Sequence, residues 1–253
     1  MNAENSLSAL VVAHNEERHL PECLAALGFC DDLVVVLDRC TDASKEIAEA
    51  AGARIVEGAW PVEGDRRNDG IDACTGAWVL EIDADERVPD ALAREIRETI
   101  AASKSDYHRL PVDNYIGARL VRHGWGASFG VRSAPRLCRK GVKEWGRQRV
   151  HPALTWREGA REGPPLKTPL VHYTDENISD LLNRLDRYST ARAADLRESG
   201  NLGSAAANYR RLVSRFLKCY LSRKGYREGG LGFLIALCAG LYPLLSYLKA
   251  RYD

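Results

Sequence analysis

The 253-residue chain lacks any CxxC pair: its seven cysteines, Cys23, Cys30, Cys40, Cys74, Cys138, Cys219 and Cys238, are scattered and odd in number. This argues against both a metal-binding finger and a disulfide-stapled secreted scaffold, and it fits a reducing compartment. No internal repeat and no low-complexity tract is present, which removes solenoid and fibrous architectures. No zinc finger, RNA-binding signature or recognition-helix pattern is present, so nucleic acid is not an expected partner. The N-terminus carries acidic Glu4, no basic leader and only the short apolar run Leu7–Ala13. No signal peptide is expected, and the body is placed in the cytosol. Charge is missing altogether from Gly229 to Leu248.

What is present is a globular composition, 45% hydrophobic and 28% charged, on a chain long enough for one α/β domain and an appendage. The formal charge of +1 hides an asymmetry. From Ser204 onward nine Lys or Arg face only Glu228 and Asp253, a local +7 that leaves the rest at −6. A basic tail on a slightly acidic body predicts an anionic surface as partner.

Strand-like and helix-like stretches alternate through the first hundred residues. Leu7–Ala13, Leu33–Leu37, Arg54–Val56 and Trp78–Ile82 read as strands. Leu20–Leu27, Ser44–Ala51, Arg66–Cys74 and Pro89–Ala102 read as helices. Continuous apolar strands between helices imply a parallel sheet covered on both faces, with ligands beyond the carboxyl ends of the strands. Tyr107–Tyr173 is richer in Gly, Pro, Arg and Trp and reads as a mixed, loop-rich segment. From Asn177 the pattern is helical.

Polar residues gather at the strand exits. Asp83-Ala84-Asp85 follows the fourth strand, and two carboxylates one residue apart can face one hard cation, Mg²⁺ or Mn²⁺, with positions open for phosphate oxygens. Asp38 ends the second strand and can accept hydrogen bonds from a base or ribose; capping the next helix is the structural alternative, which Asp42 or Ser44 could also fill. His14-Asn15-Glu16-Glu17 follow the first strand, either lining the same crevice or capping a helix. Arg66-Arg67-Asn68 read as opening a helix, where cations oppose the dipole, so an anionic ligand is expected there.

With these motifs in place, the runs "ALVVAHNEERHLPECLAAL", "LVVVLDRCTDAS", "RRNDGI" and "WVLEIDADERV" resemble the inverting family 2 glycosyltransferases of the GT-A fold, in particular the bacterial envelope group that includes lipopolysaccharide core transferases. The resemblance implies an α/β fold with a Rossmann-like, nucleotide-sugar-binding, mixed and mostly parallel sheet flanked by helices, and a C-terminal helical appendage. It places a GT-A domain at 1–175, with a nucleotide-sugar half at 6–105 and an acceptor half at 106–175, and a helical, membrane-associating region at 176–253. It implies that His14, Asn15 and Glu16 border the nucleotide, that Asp38 bonds base or ribose, and that Arg67 approaches the nucleotide or its diphosphate. Asp85 would be the main metal ligand, with Asp83 on ribose or metal. The implied partners are a nucleotide-sugar donor, most simply a UDP-sugar, and a glycan or lipid-linked envelope acceptor.

The second half matches more loosely, through "YIGARLVRHGWG", "APRLCRKG", "VHP", "LVHYT", "NRLDRYST" and "RKGYREGGLGF". Many relatives carry Val-His-Glu where this chain has Val150-His151-Pro152. If that Glu is the general base, Glu144 replaces it, or His151 itself takes the proton or completes the metal shell. Arg184–Tyr188 resembles the QxxRW segment of processive relatives faintly, without its Gln and Trp, and reads as a solvated helix face. Trp125, Trp145 and Trp156 are candidates for stacking on a sugar ring.

The tail can cross, lie in or pack away from a membrane. Gly229–Leu248 as a straight helix would be about 30 Å long, but Gly232, Gly240, Pro243 and Ser246 interrupt it, and cations flank both ends. The preceding segment sets Tyr209, Leu212, Val213, Phe216, Leu217, Tyr220 and Leu221 on one stripe and basic residues off it, the make-up of an interfacial helix. The inner, cytoplasmic membrane surface is the expected location. Two other functions stay open: a nucleotidyltransferase, disfavoured because the first strand is not followed by a Gly-rich basic loop, and a non-catalytic nucleotide-sugar or membrane-surface binding protein.

Overall fold

The computed structural model describes residues 3–126, 130–149 and 152–253. The first hundred residues alternate as β1 (Leu7–Ala13), α1 (Leu20–Ala25), β2 (Asp32–Asp38), α2 (Ser44–Ala50), β3 (Arg54–Gly58), α3 (Glu63–Ala73), β4 (Trp78–Asp83), β5 (Glu86–Arg87) and α4 (Asp90–Ala102). Six strands follow: β6 (Tyr107–Ile116), β7 (Arg119–Val121), β8 (Ser133–Arg139), β9 (Lys143–Trp145), β10 (Leu154–Trp156) and β11 (Leu170–Asp175). The chain ends in α5 (Ile178–Ser199), α6 (Ala205–Leu217) and α7 (Gly229–Tyr252).

The described residues fall into two compact units. One gathers the chain up to Val112 with Ser133–Gln148 and Pro152–His172; the other holds Asp113–Arg132, Arg149 and Tyr173–Asp253. The main sheet runs β3-β2-β1-β4-β8-β6-β11-β5. It is mixed, as expected. Pairing is parallel across β3, β2, β1 and β4 and antiparallel from β4 to β8, β8 to β6 and β11 to β5.

Alternation along the strands builds two cores in the first unit. Leu7, Ala9, Val11 and Ala13 of β1 join Trp78, Leu80 and Ile82 of β4 against Leu20, Leu24, Leu92 and Ile96 of α1 and α4. Leu10, Val12, Val34, Val36 and Val79 point the other way, onto Ile71 and Cys74. A strand apolar on both faces is covered on both faces, which is why these runs read as continuous rather than alternating. On β4 the α3 side continues from Val79 through Glu81 to Asp83, so one face of a buried strand turns acidic as it leaves the sheet.

Helix α3 begins at Glu63, three residues before the expected Arg66. Glu63 and Asp65 sit in its first turn, where negative charge suits the helix dipole. Arg66 and Arg67 are therefore inside the helix, and the dipole argument for an anionic ligand there does not hold. The first turn also lies against backbone: a Cβ on Gly64 would collide with the Gly146 carbonyl.

In the second unit α7 is core. Its buried residues include Ile235, Ala236, Ala239, Tyr242 and Tyr247, packed with Val121, Trp125, Leu181 and Leu185. It is long and apolar enough to cross a membrane, yet 61% of its most apolar window is buried within the protein. Gly232 and Gly240 are close-approach points, facing the carbonyls of Gly225 and Leu212. Those two glycines therefore serve the close packing of α7. Buried Arg184 forms a two-pronged pair with Asp175, Nε–Oδ1 3.0 Å and Nη2–Oδ2 2.8 Å. Arg184 and Leu185 are buried and Asp186 and Arg187 exposed, so the solvated face read for this segment is only half present.

Gly64→Ala is expected to cost about 1–3 kcal/mol, because the added methyl meets backbone that cannot rotate away. Gly230→Ala, which meets nothing within 4 Å, is the control and should leave the thermal unfolding midpoint nearly unchanged.

Candidate active site

Parallel β1, β2 and β4 bring their exits to one edge. The register pairs Val12 with Asp83 and Ala13 with Leu37, so the residues after β1 meet those after β2. His14 Nδ1 lies 2.5 Å from the Asp38 carbonyl oxygen. Asn15 takes a left-handed turn, φ 57°, and its Oδ1 accepts from the Thr41 amide at 2.7 Å. The Glu16 amide donates to Ser44 Oγ and the Glu17 amide to Asp42 Oδ2. Asp42 also accepts from the Ser44 amide, so it takes the helix-start role and leaves Asp38 free for another. The result is an open cleft of about 420 Å³ lined by Asn15, Glu16, Glu17, Arg18, Thr41 and Asp42, with His19 at its side.

Asp38 is 2% exposed and fully engaged by the protein. Arg39, itself at φ 54°, folds its guanidinium back onto it at 2.9 and 3.0 Å. Arg66 Nη1 donates at 3.1 Å and the Trp60 amide at 3.2 Å. Burial works against its charge, but the arginines and the amide outweigh it and hold the carboxyl below its ordinary value. Asp38 thus anchors two cations beside the crevice. Arg39's left-handed backbone is the strain such an anchor holds in place.

At the β4 exit the two aspartates have different partners. Asp83 lies between arginines: Arg67 Nη2 donates to Oδ1 at 2.8 Å and Arg136 Nη2 to Oδ2 at 2.6 Å. Arg136 Nη2 also reaches Glu86 Oε1 at 2.6 Å, and Glu86 Oε2 accepts the Asp83 amide at 2.8 Å. Arg67 further donates to Glu63 and lies 5.1 Å over the Trp145 ring. Beneath them Glu81 pairs with Lys143 and accepts from Trp145 Nε1 at 2.8 Å. Burial alone would raise the Asp83 pKa, but Arg136 and Arg67 hold it well below the usual range. Glu86 is 1% exposed, and burial pushes it up to about 7 despite Arg136. Burial would lower both arginines, but Asp83 and the neighbouring carboxylates raise them instead.

Asp85 turns outward to His172, Oδ2 to Nε2 3.3 Å. Burial opposes the His172 charge, and Asp85 overcomes it, raising the imidazole to about 9. Among the described residues no group of three or more His, Cys, Asp or Glu is gathered as a metal cage.

The remaining expected residues scatter. Glu144 is exposed on β9, and strand alternation turns it away from Lys143 and Trp145 on either side. His151, with Val150, lies outside the described residues. Trp125 is core, its Nε1 donating to the Val121 carbonyl at 2.6 Å. Trp156 stacks on Tyr107 at 3.9 Å, and Trp145 lies under Arg67. Arg136, Glu86 and His172 lie within the runs APRLCRKG, WVLEIDADERV and LVHYT, whose spacing gives none of them a role.

The family model described as glycosyl transferase family 2 matches residues 8–123, which covers every one of these strand exits. Just under half of the chain, the part that carries these exits, is thus similar to glycosyl transferase family 2. The chain is 25% identical to the lipopolysaccharide core biosynthesis glycosyltransferase LpsC of Rhizobium meliloti, across 96% of this chain and 91% of that one. It shares its GT-A-like fold with TarS 1-349 of S. aureus, TM-score 0.51 at 15% identity over 97% of this chain and 88% of that one. A shorter likeness, 45% of this chain and 44% of the other at 23% identity and TM-score 0.36, is to glucosyl-3-phosphoglycerate synthase from Mycobacterium tuberculosis, solved with Mn²⁺ and UDP.

Removing Arg136 leaves Asp83 and Glu86 buried without their shared donor. Arg136→Ala is expected to lower stability by about 3–5 kcal/mol. Arg136→Lys keeps a cation that can reach both acids and should lose clearly less; denaturant midpoints at neutral pH compare the two.

Proposed function

We propose that this glycosyltransferase moves a sugar from a UDP-sugar to a lipopolysaccharide-core or other lipid-linked envelope glycan, with inversion, at the cytoplasmic face of the membrane. The observation that carries the donor half is the Asp85–His172 pair at the exit of β4, beside an Asp83 already held by two arginines. A divalent cation, Mg²⁺ or Mn²⁺, that displaced the proton His172 holds against Asp85 would meet one carboxylate oxygen and one imidazole nitrogen, 3.3 Å apart, with most of its coordination sphere left to phosphate and water. A cation held there would supply positive charge against the departing diphosphate.

The rest is done by the chain. Arg67 and Arg136 fix the turn that aims Asp85. Asn15 and Glu16 line the cleft for base and ribose, and Arg39 and Arg66, anchored on Asp38, border it with positive charge. Asp83 serves the clamp, a role different from the shared cation expected of it. The acceptor class follows the name of the Rhizobium relative and the basic tail of this chain.

Asp85→Asn and His172→Ala should each reduce metal-stimulated UDP release from a UDP-sugar by about 100-fold or more while leaving the unfolding midpoint close to wild type. Unchanged release in both would remove the pair from the mechanism.

An inverting transfer also needs a base within about 3 Å of the acceptor hydroxyl. Glu144 and His151 are the candidates. The true base should lose about 10²–10⁴ in kcat on Glu144→Gln or His151→Ala with UDP affinity retained. Near-normal turnover in both variants would exclude both.

A further inference from the structure

The second unit leaves an apolar row in solvent. On α6 and the turn after it, Tyr209, Val213, Leu217 and Leu221 recur every fourth residue and are 55%, 54%, 45% and 54% exposed. That spacing places them one above another on a single face. The row is extended by Tyr226 and Phe233, 48% and 47% exposed, whose rings meet Tyr220 edge-on at 6.4 and 5.8 Å. Soluble helices turn such a stripe inward. Here the inward contacts of α6 are made by other residues, including buried Asn208 and the partly buried Phe216, which packs on the core that α7 belongs to.

The charge around the row has one sign. Ser204 to Arg227 contains seven Lys or Arg and no Asp or Glu. Among the described residues, Arg210, Arg215, Lys218, Lys224 and Arg227 have neither an ion-pair nor a hydrogen-bonding side-chain partner, and Arg215 Nη1 is buried without one. Elsewhere in the same unit cations are paired: Arg184 with Asp175, Arg149 with Asp195 and Glu198, Lys249 with Asp186. Unpaired cations beside exposed aliphatic and tyrosine side chains complement a surface that is anionic above and apolar beneath.

We propose that the outward face of α6, from Tyr209 to Leu221, docks the protein in the plane of an anionic phospholipid bilayer. This builds on the reading that the enzyme works at a membrane, and it assigns the contact to α6 and not to the longer, more apolar α7. Helix α7 cannot serve as a span without being stripped from the core it forms with α5 and α6, whereas the α6 row is already in solvent and needs no rearrangement. The aromatic rings at its end sit where tyrosine is favoured, at the level of the headgroups.

The test is co-sedimentation of the full-length protein with phosphatidylcholine vesicles, with and without phosphatidylglycerol, at low and high salt. The wild type should pellet with the anionic vesicles at low salt and be released by salt. Val213→Glu with Leu217→Glu should weaken that partitioning on the order of 100-fold, and Arg210→Ala with Arg211→Ala and Lys218→Ala by a similar factor with a shallower salt dependence. All these side chains are exposed, so unfolding midpoints should stay near wild type. Equal binding to neutral and anionic vesicles, or variants that partition as the wild type does, overturns the proposal. So does a wild-type dimer that the Val213→Glu/Leu217→Glu variant turns into monomer in analytical ultracentrifugation, which would give the face to a second copy. UDP release measured in parallel separates the two readings: it should persist in the α6 variants, and its absence from the wild type would count against the catalytic assignment alone.

Discussion

The arrangement on which the site depends is one carboxylate between two buried arginines. Asp83 leaves the sheet with Arg67 on one oxygen and Arg136 on the other, and Arg136 also holds Glu86. Desolvating this many charges is costly, and it is sustained because every acid has a cation within hydrogen-bonding distance. The elements that contribute are α3, β4, β5 and β8, so the clamp ties β8 to three segments about fifty residues or more before it. Its geometric effect is on the next residue but one. With the Asp83 amide bound to Glu86 and its side chain immobilised, the turn can place Asp85 only outward, where His172 meets it.

The same logic governs the other two exits. At β2, Asp38 gathers Arg39 and Arg66 and so converts an acidic position into a cationic edge. At β1, Asn15 and the amides of Glu16 and Glu17 are spent on Thr41, Ser44 and Asp42, which locks the two exit loops into one wall. The chemistry is therefore distributed. One edge carries paired arginines suited to an anion, another a carboxylate–imidazole pair suited to a hard cation, and a polar cleft lies at the first. The nucleotide-sugar donor proposed for this site would present complementary parts to all three.

Much of this was legible in the sequence. The strands through β4 were readable because a strand buried on both faces is apolar at every position, as in Leu7–Ala13, and because each exit changed abruptly to polar residues. The start of α3 was not, since Glu63-Gly64-Asp65 has no apolar periodicity and its helical state is set by packing against the β9 segment. Arg136 and His172 were invisible as site residues for a different reason. Each reaches the β4 exit through antiparallel pairing, β8 against β4 and β11 against β5, and register across distant strands leaves no local spacing to read. The motif shows that Asp83 and Asp85 are adjacent but not which counter-charges arrive from elsewhere, and for Asp83 those are Arg67 and Arg136. In the tail, an uncharged helix is apolar enough for a bilayer, and the sequence alone does not show that its glycines at 232 and 240 fit it to its neighbours.

The central claim is that Asp85 and His172 hold a divalent cation that couples this site to a nucleotide diphosphate. Calorimetric titration of UDP into the protein, with Mn²⁺ and with chelator, tests it most directly. Tight binding that requires Mn²⁺ in the wild type and loses that requirement together with its affinity in Asp85→Asn is the predicted result. UDP affinity that is the same with Mn²⁺ and with chelator, or unchanged by Asp85→Asn, would contradict it.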